Sequence, residues 1–139
     1  TKNNKITMAT VTAEITLSSN DLVSDVLSLN TSVDLTNIES VSGLSRKKIT
    51  STAKGTSSGQ VELAPSGVYT SPNYIYIKNT DTTSTDYVTV YDDAGGDVDI
   101  LYIPGGGWAF LPIMNGQNLK AYAATSGTVV EFMVFGTEA

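Results

Sequence analysis

The chain contains no cysteine and no histidine. The first absence removes disulfides, thiolate zinc sites and cysteine nucleophiles together. The second removes the commonest general base and the commonest transition-metal ligand, and with them any Ser-His-Asp triad. Arginine occurs once, at position 46. That is a poor endowment for bidentate recognition of phosphates or guanine edges. No apolar run approaches the roughly 18 residues that span a bilayer. Thr1–Lys5 is polar and no apolar core follows it, so it does not read as a secretory signal. A leading Thr fits either trimming of an initiator Met in a bacterial cytoplasm or processing of a longer precursor.

What the chain does contain is a β pattern. Tyr74–Asn79, Tyr87–Tyr91, Val98–Ile103, Pro104–Pro112, Leu119–Ala123 and Val129–Phe135 are short runs rich in β-branched and aromatic residues. They recur roughly every ten residues between Gly, Pro, Asn and Asp, the signature of an antiparallel sandwich or jelly roll. About a quarter of the residues are Ser or Thr. A disordered segment has that composition too, but the sustained apolar alternation after Tyr74 argues for a packed sheet. With 139 residues the chain fits one domain. The reading is all-β: a jelly-roll-like antiparallel sandwich over 6–139, preceded by a flexible arm over 1–5.

Along the first half, the apolar phase slips. Ile6 and Met8 share one face, whereas Val11, Ala13, Ile15 and Leu17 share the other. A one-residue slip is what a β-bulge, or a strand crossing between sheets, produces. Leu22–Leu29 fits a helix face through Leu22, Val23, Val26 and Leu27, or a strand through Val23, Asp25, Leu27 and Leu29. Its shortness, its serines and its β surroundings favour the strand. Turns are expected at Ser18–Asp21, Ser71-Pro72, Asp81–Asp86, Asp92–Asp97, Asn115-Gly116 and Ser126-Gly127. Ile75, Ile77, Val88, Val90, Ile100, Phe110, Val130 and Phe132 are the expected core, with Trp108 at least partly buried.

The charge is unevenly spread. Residues 1–60 carry six cations against five acids; residues 61–139 carry two against nine, leaving −6 overall. An acidic half disfavours nucleic acid and anionic membrane and suits a basic partner. Arg46-Lys47-Lys48 is the only basic cluster. On a strand, Arg46 and Lys48 point one way and Lys47 the other. The cluster meets an acidic partner or guards a sheet edge.

Other motifs carry little chemistry. Asp92, Asp93, Asp97 and Asp99 surround Gly95-Gly96, but their spacing is not that of an EF-hand, and Asp is favoured at turn tips for its own backbone bonds. The acids sit in hairpin tips and do not face each other as a glycosidase pair would. Pro104–Gly107 lacks the Lys-Ser/Thr of a P-loop and leads into an aromatic strand, so it reads as a tight bend with positive φ angles. No cofactor is expected and no enzyme.

Tyr76-Ile-Lys-Asn79, Ile103-Pro-Gly105, Trp108-Ala-Phe-Leu-Pro112 and Val129-Val-Glu-Phe132 also form a familiar order. Over residues 72–135 the chain resembles small β-sandwich virion proteins of tailed bacteriophages, particularly those of marine phages. In those proteins an acid often follows the Pro-Gly; here Gly106 and Gly107 stand instead. The resemblance implies a non-enzymatic structural protein of the virion, assembled in the bacterial cytoplasm. It points first to a decoration or cement protein bridging capsid subunits. The alternative is a receptor- or carbohydrate-binding module of a tail or head fibre. The implied partners are the major capsid protein or other virion proteins and further copies of the chain, such as a trimer. Lys2, Lys5, Arg46, Lys47 and Lys48 are the residues expected to touch a partner.

Overall fold

The computed structural model describes residues 9–21, 26–38, 40–41, 43–55, 58–64, 69–94, 96–114 and 117–138. Among these residues the chain forms eleven strands: β1 (Ala9–Ser19), β2 (Leu27–Ile38), β3 (Ser40–Val41), β4 (Ser45–Lys48), β5 (Val61–Ala64), β6 (Tyr69–Asn79), β7 (Val88–Asp92), β8 (Val98–Ile103), β9 (Trp108–Ile113), β10 (Leu119–Ala123) and β11 (Val129–Glu138). No helix occurs among the described residues. The chain divides into two compact units, Thr1–Glu39 and Ser40–Ala139.

The second unit is the sandwich. One sheet runs β4-β11-β6-β9, with β3 pairing the far end of β11; the other runs β5-β10-β7-β8. Every pairing is antiparallel. From β4 to β11 each connection crosses from one sheet to the other, except β7 to β8. Eight strands wound this way make a jelly roll. Val88, Val90, Ile103, Leu119 and Ala121 of one sheet meet Ile75, Ile77, Val130, Phe132 and Val134 of the other in a single core. Each fully buried aliphatic side chain there contributes about 1.5–3 kcal/mol.

The first unit is a two-stranded ribbon, β1 with β2. Its register shifts between Ala9 and Val11, at the phase slip that the sequence shows. Beyond that bulge the ribbon is amphipathic. Val11, Ala13, Ile15 and Leu17 lie opposite Leu35, Val33, Thr31 and Leu29 on one face. Thr12, Glu14, Thr16 and Ser18 lie opposite Asp34, Ser32, Asn30 and Ser28 on the other. The polar face is bonded across the strands: Thr12 Oγ1 donates to Asp34 at 2.8 Å and Asn30 Nδ2 to Glu14 at 2.8 Å. On the apolar face Leu17, Leu29 and Val33 are about half exposed, at 50, 42 and 52%. Within 22–29 the strand reading holds for Leu27–Leu29; 22–25 lie outside the described residues.

Several expectations are corrected. Ser71-Pro72 is no turn but part of β6, next to the place where the β6–β11 register shifts between Phe135 and Thr137. A bulge tolerates the missing proline N–H. Ile100 is 43% exposed. Val90 pairs with Leu101 but Tyr91 with Asp99, so Ile100 is the extra residue of a bulge, and Leu101 and Ile103 face the core in its place. Phe110 and Trp108 are also outside the core. Ile75 and Ile77 face inward, and their cross-strand partners Leu111 and Ala109 do too. Trp108, Phe110 and Pro112 therefore stand on the outer face, with Trp108 56% exposed.

Candidate functional site

The same parity builds a transverse row on the outer face of the β4-β11-β6-β9 sheet. Arg46 pairs with Glu131, Glu131 with Lys78, and Lys78 with Trp108. Directly opposed residues share a face. Four side chains from four strands thus stand side by side. Arg46 Nε donates to Glu131 Oε2 at 2.6 Å, and the Tyr76 hydroxyl donates to Glu131 Oε1 at 3.1 Å. These two bonds and the nearby Lys78 hold the Glu131 carboxyl below its ordinary range, Arg46 being the main cause, although burial opposes them. The Tyr76 hydroxyl is pushed up, by burial first and by Glu131 next.

Beside the row lies a hollow of about 430 Å³ lined by Arg46, Lys78, Thr80, Asp81, Gly106 and Glu131, among others. Its wall is fixed by Asn79, which is fully buried. Asn79 Nδ2 donates to the carbonyls of Asp86 (2.6 Å) and Ile103 (3.0 Å), and its Oδ1 accepts from the Asp81 N–H at 3.0 Å. The Gly-rich bend closes the rim. Gly107 N–H donates to the Pro104 carbonyl at 2.8 Å with Gly106 at φ +78°, a type II turn. It passes the chain from β8 in one sheet to β9 in the other. Gly105 has no room for a side chain: a Cβ there would lie 2.1 Å from the Thr83 carbonyl oxygen.

Next along the face the rings gather. Tyr74 stacks on Phe110 with centroids 5.9 Å apart, and Phe135 meets Phe110 edge-on at 6.2 Å. On the opposite sheet Tyr102 and Tyr87 meet edge to face at 6.5 Å, exposed at 63 and 43%.

The aspartates after β7 build a turn. Asp92 Oδ1 accepts from the N–H groups of Ala94 (3.0 Å) and Asn118 (3.1 Å). Asp97 has φ +59°, the left-handed conformation that Asp tolerates. Lys120 Nζ donates to Asp93 at 2.6 Å and lowers the Asp93 carboxyl. Asp97 is pushed up, chiefly by its hydrogen bond to Asp93 and then by burial. Asp99 is bonded by Lys54 at 3.2 Å, Tyr102 at 3.3 Å and Tyr122 at 3.4 Å. Asp92 and Asp97 serve the turn, as the local-backbone reading expects, whereas Asp93 and Asp99 bond side chains of other strands and loops.

The basic cluster is dispersed. It lies on β4, which forms one edge of its sheet. Arg46 faces out onto Glu131, Lys47 reaches the other way to within 5.9 Å of the Phe132 ring centroid, and Lys48 is exposed. Lys2 and Lys5 lie outside the described residues. Sequence reading singled out Trp108 and Arg46 separately and missed Lys78 and Glu131 as their neighbours. Only the strand register joins them. No protein-family model matches the chain, and no curated protein or solved structure matches it significantly.

Proposed function

We propose that this chain is a non-enzymatic structural protein of a tailed-bacteriophage particle, a decoration protein that bridges and stabilises neighbouring capsid subunits. The observation that carries this reading is the β1–β2 ribbon. A two-stranded ribbon is marginal in water by itself, yet this one spans strands of 11 and 12 residues and exposes Leu17, Leu29 and Val33 along one face. Such a face is what an element has when its burial is completed on assembly. The jelly roll adds fold-level support, because capsid domains commonly use it, although fold alone does not assign a role. Lys2, Lys5 and exposed Lys48 supply positive charge for an acidic partner surface. Several copies on a symmetric lattice would gain avidity from many individually weak contacts.

The test is attachment to undecorated heads. Leu17→Asp with Leu29→Asp should abolish decoration while the melting transition of the sandwich stays in place. Full occupancy by the double variant in competition with the parent protein would remove the ribbon from the account.

A further inference from the structure

We infer that the hollow lined by Arg46, Lys78, Asp81 and Glu131, with Trp108 on the next strand opposite Lys78, is a binding site for neutral saccharides, whether the protein sits on a head or on a fibre. Trp108 does not itself line the hollow but stands next to its Lys78 wall, across the β6–β9 pairing, with its side chain exposed on the outer face of the sheet. A pyranose ring presents an apolar C–H face that such an indole covers, as amphipathic ligands generally sit with one side against an aromatic wall. The hollow itself, about 430 Å³, falls within the range of small-ligand sites.

The polar lining matches vicinal hydroxyls. The Lys78 ammonium makes no ion pair among the described residues. Arg46 engages Glu131 through Nε, which leaves its terminal nitrogens as donors on a side chain that is 70% exposed. Asp81 uses Oδ1 to accept from the Thr83 N–H at 2.9 Å, which leaves Oδ2 for a ligand hydroxyl. Thr80 Oγ1 donates to the Val129 carbonyl at 2.7 Å, so a ligand at this wall meets it as an acceptor. Donors and acceptors thus lie together around one wall, as a sugar hydroxyl requires because it both gives and takes a hydrogen bond.

Charge decides the class of saccharide. Arg46 and Lys78 are balanced by Asp81 and Glu131 in the lining, so the hollow has no formal net charge. The rest of 61–139 is strongly acidic. An anionic glycan or a phosphate meets repulsion on approach and no surplus cation on arrival. A neutral sugar meets neither penalty. The wall is also rigid: Asn79 and the Pro104–Gly107 turn hold it by bonds of 2.6 to 3.1 Å, so little ordering is needed on binding.

Trp108 is the sole tryptophan, so its fluorescence reports changes next to the Lys78 wall of the hollow. The full chain is screened on a glycan array, and array hits, together with chitotriose, cellotriose, mannotriose and trigalacturonic acid, are titrated by Trp108 emission and by calorimetry. The expected result is a saturable emission change with at least one neutral saccharide, at a Kd below about 1 mM. Lys78→Met and Asp81→Asn should each weaken it about tenfold or more, Trp108→Ala should abolish it, and Tyr102→Ala, on the other sheet, should leave it intact. All four positions are exposed or half-exposed, and unchanged melting temperatures confirm folding. The inference is overturned if no neutral saccharide binds, if only acidic glycans bind, or if affinity survives in the Lys78 and Trp108 variants.

Discussion

Asn79 Nδ2 donates to the Ile103 carbonyl at 3.0 Å and so ties β6 of one sheet to the end of β8 in the other. The same side chain serves Asp86 and Asp81, and every one of its polar atoms has a partner. Buried amides in such positions specify an arrangement because each alternative leaves donors or acceptors unmet.

Asn79→Ala should therefore orphan the buried Ile103 carbonyl and remove the partner of the part-buried Asp86 carbonyl and Asp81 N–H. The expected loss is about 1–3 kcal/mol for the buried carbonyl, with less from the two groups that water can reach. Urea unfolding measures it; a loss under about 1 kcal/mol would mean that water replaces the amide freely.

The two phenylalanines separate core from outer face. Phe132 is 5% exposed and belongs to the core, so Phe132→Ala should cost about 3–5 kcal/mol. Phe110 is half-buried on the outside among Tyr74 and Phe135, so Phe110→Ala should cost about 1–2 kcal/mol. Equal losses in denaturant titrations would contradict the strand parity of β9.

The Arg46–Glu131 pair gives a pH signature. The Glu131 carboxyl lies below its ordinary value when folded. Its contribution to stability is present above the ordinary carboxylate value and is lost as pH falls through the depressed one. Arg46→Met should lower the melting temperature at neutral pH, and the difference should close on acidification. Arg46 is largely exposed, so the effect is modest and shrinks in salt.

Asp97 has the opposite sign. Its folded carboxyl is raised, by the bond to Asp93 before burial. Ionising it therefore costs stability above the raised value, and that cost vanishes below the ordinary Asp value. Asn at 97 tolerates φ +59° and still donates to Asp93. Asp97→Asn should raise the melting temperature at neutral pH and converge with the parent in acid. A neutral-pH decrease would show that the charge at 97 is used elsewhere.

How much of this was legible in the sequence depends on range. Alternation along a strand is local, so the β1 bulge, the buried Ile75, Ile77, Val88 and Val90, and the Asp92 and Asp97 turn chemistry could be read from neighbouring residues. Parity between distant strands is not local. Nothing near Trp108 says that Ala109, a smaller residue, takes the inward position, and the bulge that expels Ile100 shows only in its pairing with β7. The Arg46–Glu131 bond joins residues 85 apart. The row that forms the candidate site exists only once β4, β11, β6 and β9 are in register.

The proposal that the chain decorates a phage head is tested most directly by a cryo-EM map of the phage particle that carries it. The account predicts jelly-roll density on the outer capsid surface, repeated across the lattice, with the β1–β2 ribbon laid against a neighbouring subunit. Density confined to a tail or fibre would place the protein in the alternative class, and absence from the purified particle would contradict a virion role altogether.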